Sequence, residues 1–280
     1  KVFLICDGPK PEDESDREKT EAVRARLENF TWNCPVVRHY SRTNIGCRNN
    51  FIEGLSRVFD ENDAAIILED DTIPTTEFFQ FCDDGLHRHK HSARVGMILG
   101  SNLVADQLSK GGFGKIMSPW GWASWRRVWK DFEPDKNMKD VRINSHKYCV
   151  REKPSLLERI YWTEVFRHAM KSRGTWDLLL QRHLFEHDLL CLYPKDNLVV
   201  NIGFGVDSTH TKGGPPSYVK RSYQAHSDET ISPITSSGEI EIRSNPKRDM
   251  LLISTAWNFD LYHVIRLWWG NIFRYGLNRS

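Results

Sequence analysis

The sequence predicts an α/β fold built around a mainly parallel sheet. Three observations carry that prediction. Short apolar runs recur at Val2 to Cys6, Ala64 to Leu68 and Val95 to Leu99, each of strand length. Segments with apolar residues at helical spacing lie between them, as in Phe51, Ile52, Leu55, Val58 and Phe59. Strands alternating with helices in this way imply βαβ units and parallel pairing.

In chain order, Lys1 to Cys6 reads as a buried strand and an acid-rich loop follows it. A helix is expected from Asp16 to Asn29, a strand from Pro35 to Tyr40, and a helix from Asn49 to Asp60. Ala64 to Leu68 is the second fully apolar strand. Thr75 to His87 is helical, with Thr75 or Thr76 as its cap. The second half is less regular. Gly111 to Gly114 reads as a glycine-rich loop, Trp120 to Lys130 is dense in tryptophan, and helices are expected over Leu156 to Arg173 and Leu178 to Glu186. The polar stretches 212–217 and 227–239 read as loop or lid. No internal repeat is present.

Composition narrows the function classes. A net charge of +2 gives no electrostatic case for a nucleic-acid partner. The six cysteines include no C-x-x-C pair, so reduced, core-filling thiols are expected rather than a zinc or redox site. No signal peptide and no apolar run of bilayer length is visible. The abrupt opening on a strand suggests a fragment.

The acids at strand ends carry the chemistry. Ligands of open parallel sheets bind beyond the carboxyl ends of the strands. Cys6 runs into Asp7-Gly8, and Leu68 runs into Glu69-Asp70-Asp71. Adjacent carboxylates repel and need a cation, hydrogen-bond donors or water. Capping of the next helix is one explanation. A hard divalent ion, Mn²⁺ or Mg²⁺, bound by one or two carboxylates and by phosphate oxygens is the other. No G-x-x-x-x-G-K-[ST] is present and no G-x-G-x-x-G follows a strand, which leaves a sugar nucleotide as the phosphate ligand.

LEDDTIPTTEFFQF resembles the acidic motif of metal-dependent, nucleotide-sugar-using glycosyltransferases of the GT-A fold. It is similar to the animal N-acetylglucosaminyltransferase that begins complex N-glycan branching, and the wider pattern is similar to bacterial family-2-like glycosyltransferases. The matching pieces are ICDGP (5–9), RTNIGCRNN (42–50), ILEDD (67–71), SPWGWASWRRVW (118–129), TWD (175–177), YPKDNLVVNIGFG (193–205) and DSTHT (207–211), in family order.

The resemblance implies a GT-A, Rossmann-like fold whose first strand precedes this chain. It implies a nucleotide-sugar-binding half over 1–110, an acceptor-side and catalytic half over 111–255, and a C-terminal segment over 256–280. Asp71 is the implied direct metal ligand. Glu69 and Asp70 would approach the ribose and base or support that ligand, and Asp7, with Gly8 beside it, would bond the nucleobase. Arg48 would face the nucleotide or be a surface arginine. Asp177 is the implied catalytic base of an inverting transfer, with helix capping by T-W-D as the plain alternative.

Trp120, Gly121, Trp122 and Trp176 would border the sugars, while helix-spaced Trp122, Trp125 and Trp129 could equally pack the core. His210 would hold the metal or diphosphate, or be structural. The expected donor is a nucleotide sugar, UDP-linked by resemblance, and the acceptor a glycan or lipid-linked alcohol.

The tail, with Leu261, Val264, Ile265, Trp268, Ile272 and Tyr275 on one face, is an amphipathic helix that could touch a membrane surface or cover the domain. The bacterial pattern implies a cytoplasmic protein at the inner membrane face, and a eukaryotic one would be in the Golgi lumen. A sugar-nucleotide nucleotidyltransferase and a catalytically silent carbohydrate-binding relative are the competing functions.

Overall fold

A computed structural model describes residues 1–105, 107–108, 110–135, 138–151, 155–171, 175–204, 216–217, 219 and 241–256. His210, most of the two lid stretches and the amphipathic tail at 261–275 lie outside the described residues.

The protein is α/β, with a mixed central sheet flanked by helices, an arrangement compatible with a Rossmann-like fold. The first half follows the predicted alternation: β1 (Val2–Cys6), α1 (Glu14–Asn29), β2 (Val36–Tyr40), α2 (Cys47–Glu61), β3 (Ala64–Ile67), β4 (Thr72–Pro74), α3 (Thr76–His89) and β5 (Val95–Leu99). Helix α1 starts two residues before the expected position, because the Asp13 carboxylate caps it by accepting from the Asp16 amide at 3.0 Å. Leu55, Val58 and Phe59 of α2 are buried, as their spacing predicts.

The second half holds β6 (Gly112–Gly114), β7 (Trp122–Trp125), the short α4 (Arg126–Trp129), α5 (Met138–Ile143), α6 (Leu156–Lys171), α7 (Asp177–Glu186), β8 (Leu190–Tyr193), β9 (Val199–Asn201) and α8 (Pro246–Thr255).

The expectation of a mainly parallel sheet is corrected. The five-stranded sheet runs β3-β7-β5-β8-β6, and only β5 and β8 pair in parallel within it. The reason is the connection from β5 to β7. Its described residues contain no crossover helix, and a parallel neighbour needs one. The chain instead turns at Gly121, whose φ of 67° suits glycine, and runs back between β3 and β5. Strands β1 and β2 form a separate parallel ladder, and β4 pairs β9 in a short antiparallel ribbon.

Trp122 and Trp125, whose spacing suits a helix, therefore sit on a strand. All four residues of β7 are buried, so both of its faces are covered. The core gathers Phe78, Met97, Ile98, Trp122, Trp162 and Phe166 among others, each essentially inaccessible. All six cysteines are free, with Cys82, Cys149 and Cys191 buried, in line with the core-filling expectation. Among the described residues no helix is long and apolar enough to cross a membrane.

Candidate active site

Strand direction brings the acids to one edge. β3 and β5 both run antiparallel to β7, so they point the same way and the acids after β3 lie beyond a carboxyl end of the sheet. A tight turn closes there. The Thr72 hydroxyl donates to the Glu69 carbonyl at 2.7 Å and accepts from the Glu69 amide at 3.1 Å. Glu69 is thereby turned inward to a half-buried position, while Asp70 stays exposed.

Asp71 is held from the far side by the β4–β9 ribbon. Its carbonyl accepts from the Ile202 amide at 2.8 Å, and the Asn201 side chain hydrogen-bonds its carboxylate. Gly203 lies so close that a Cβ there would come within 2.0 Å of Asp71 Oδ2. The other oxygen, Oδ1, is buried without a hydrogen-bond partner. An orphaned buried carboxylate oxygen is costly and marks a position for a cation or donor.

Asp177 is drawn in through aromatic stacking. Trp122 pairs with Ile67 across β7 and β3, directly below the acidic turn. Trp176 is buried and stacks on Trp122 at 6.0 Å and on Phe51 of α2 at 3.6 Å between centroids. The ring clamped between two elements fixes the start of α7, whose first residue is Asp177. The capping alternative is not what forms. Trp176 occupies the cap position with no side-chain cap bond, and the Asp177 carboxylate accepts instead from the Thr175 hydroxyl.

The electrostatics report the convergence. Burial pushes the Glu69 carboxyl up to about 8, and the neighbouring charges of Asp71, Asp177 and Asp70 push the same way. Burial likewise raises Asp71, with Asp70 adding and the Asn201 bond opposing. Cys47, at the start of α2, is exposed as a residue, but partial shielding of its sulfur and the charges of Glu69, Asp177, Asp70 and Asp7 raise its thiol. Asp7, Glu69, Asp70 and Asp177 thus surround one thiol.

Asp7 has a second task. Its carboxylate accepts from the Gly8, Ile45 and Gly46 amides at 2.8–2.9 Å, the last two at the entry to α2. An anion is favoured at a helix N-terminus. Gly8 is pressed against the Thr43 backbone, where a Cβ would meet the carbonyl carbon at 2.3 Å. Asp7 and Gly8 therefore join the first two strand-end loops, and about one acceptor position of the carboxylate stays open to another donor.

Other predicted residues are placed elsewhere. Arg48 is buried, not on the surface, and its guanidinium pairs with Asp135 at 2.6 Å. Trp122 is 1% exposed and forms the floor of the site, so it cannot present a face to a sugar. Gly121 is packed against Val199 and Leu68 and shapes the turn. Trp120 is half-buried, with its ring edge-on to Phe204 at 5.8 Å. The sequence reading did not single out Asn201, Gly203, Thr175 or Cys47. The close pairing of Asp71 with Gly203 has no local signal, because β4 and β9 meet only in the folded chain.

Among the described residues no group of three or more His, Cys, Asp or Glu side chains is arranged to hold a metal. A hard divalent cation that takes one or two carboxylates plus phosphate and water needs no such group, and the orphaned Asp71 oxygen fits it. No family model matches the chain, and no curated protein matches it.

Proposed function

We propose that the protein is an inverting, divalent-cation-dependent glycosyltransferase of GT-A type that moves a sugar from a nucleotide sugar, UDP-linked in preference, to an alcohol of a glycan or lipid-linked acceptor. The observation that carries this reading is the cluster of Glu69, Asp70, Asp71 and Asp177 at one sheet edge, with Asp71 Oδ1 buried and unpartnered.

Chemistry of this class needs one base on the acceptor side and one centre of positive charge on the leaving-group side. Asp71 would hold Mn²⁺ or Mg²⁺, which when bound supplies charge against the departing diphosphate. Asp177 takes the proton of the attacking hydroxyl, and the Thr175 hydroxyl keeps its carboxylate oriented. Trp176 excludes water from one side of that carboxylate. Glu69, whose carboxyl burial and the neighbouring acids push up to about 8 before a cation arrives, approaches the ribose or supports Asp71. Asp7 fixes the loop ahead of α2 that would border the nucleotide.

The test is release of nucleoside diphosphate from a panel of UDP- and GDP-sugars with and without Mn²⁺, for the wild type and for Asp71→Asn. Cation-dependent release that the variant loses supports the proposal. No release with any donor overturns it. Pyrophosphate formed from a sugar 1-phosphate and a nucleoside triphosphate would identify a nucleotidyltransferase instead, and sugar binding without turnover a binding module.

A further inference from the structure

A cavity of about 140 Å³ opens at the same edge of the sheet as the acids. It lies beyond the ends of the parallel strands β5 and β8, bordered by Ser101 after the first and Tyr193 at the end of the second. Ile116, Met117, Trp120 and Leu252 supply most of the remaining wall. β3 points the same way as β5, so the cavity and the acidic turn share one edge of the sheet.

Two connections tie the cavity to the reacting groups. On one side Trp120 meets Phe204 edge-on, and the adjacent Gly203 lies against Asp71. On the other, the Met117 amide donates to Gln181 Oε1 at 2.8 Å, while Gln181 Nε2 donates to the Lys115 carbonyl at 2.9 Å. Gln181 lies one helical turn after Asp177 on α7. The wall of the cavity is therefore fixed to the helix that begins with the proposed base.

The lining also selects a ligand class. The Ser101 hydroxyl donates to that of Ser118 at 2.5 Å and the Tyr193 hydroxyl donates to the Ile116 carbonyl, so most of the hydroxyl protons of the lining are engaged within the protein. A second sugar ring would leave most of its hydroxyls without partners there, at a cost for each. A dry apolar cavity of this size admits about one six-carbon ring.

We propose that this cavity anchors an apolar group of the acceptor, a ring or branched chain of about six carbon atoms, and so holds the acceptor's hydroxyl toward Asp177. The inference rests on the glycosyltransferase reading for the word acceptor and on the cavity alone for the apolar ligand.

Benzyl alcohol, which carries one apolar ring and one hydroxyl, is the probe. Titrated into the full chain and followed by ligand-observed NMR, it is expected to bind the wild type, and Ala256→Phe, which fills the cavity mouth, to weaken binding at least about tenfold. Met117→Ala, which enlarges the cavity, shifts preference toward 1-naphthalenemethanol and provides a second readout if the filled variant fails to fold. Benzyl alcohol bound equally by both proteins, or displaced as readily by glucose, overturns the assignment.

With a donor that turns over, a benzyl glycoside acceptor should show a KM about tenfold or more below its methyl counterpart, and the difference should vanish in the filled variant. Turnover without that advantage overturns this inference and leaves the glycosyltransferase reading intact. Cavity binding without turnover of any donor removes the glycosyltransferase reading and leaves a site for an apolar ring.

Discussion

Glu69 and Asp249 are both carboxyl groups pushed up by burial, the first to about 8 and the second to about 7, yet their neighbours differ in kind. Around Asp249 every other contribution opposes the rise. The Lys115 and Ile116 amides bond it, and Arg248 and Lys115 attract it. Around Glu69 every neighbouring charge is another acid and adds to the rise. Asp249, fully buried on α8, ties that helix to the loop after β6 through the Lys115 amide at 3.0 Å. Asp249 is matched to its surroundings and Glu69 is not. Matched groups hold folds together, whereas a mismatched group marks a place where something must still arrive.

The contrast breaks most sharply at Asp177. Asp177→Asn should lower kcat by about 10²–10⁴-fold while leaving the unfolding midpoint within a degree or two of wild type, measured by diphosphate release and calorimetry. An equal loss of stability would make the acids structural. Gly203→Ala comes next. Its methyl would run into the whole Asp71 side chain, from Oδ2 back to Cβ, so Asp71 must move and kcat/KM should fall by up to about 10²-fold, measured beside the unfolding midpoint.

Asp249→Ala should do the opposite. Orphaning the Lys115 and Ile116 amides costs about 2–3 kcal/mol of stability, read from denaturant titration, with activity per folded molecule unchanged.

The last comparison is in pH. Both carboxyls titrate higher in the folded protein than their usual 4.5 and 3.8, so the folded state binds more protons than the unfolded chain in between. Stability without a cation should therefore fall as pH rises, through about 8 for Glu69 and about 7 for Asp249. Glu69→Gln should flatten the upper part of that slope. Mn²⁺ should raise the unfolding midpoint more at pH 8 than at pH 6, and the lower part of the slope should ignore the metal.

Much of the first half was legible because β1, β3 and β5 are continuous apolar runs and α2 and α3 are amphipathic. The acids at the ends of β1 and β3 were legible for the same reason, since charges visibly end a continuous apolar run, although both strands are only partly buried. The three-residue strands β4, β6 and β9 were not legible, because so few residues carry no period. Trp122 to Trp125 misled because a strand buried on both faces does not alternate, and the tryptophan spacing suits a helix equally well. Asp177 could be named from its motif, but its meeting with Glu69 depends on Trp176 lodging between Phe51 and Trp122, which no local pattern encodes.

The ribbon of β4 and β9 sets a timetable. Its two strands come from distant parts of the chain, so Asp71 gains its clamp from Ile202 and Gly203 only after nearly the whole domain has been made. A nascent chain halted before β9 could fold its leading βα units and still have no affinity for a divalent ion. On the proposed function, a nick in the connection to β9 would abolish cation-dependent activity without melting most of the protein.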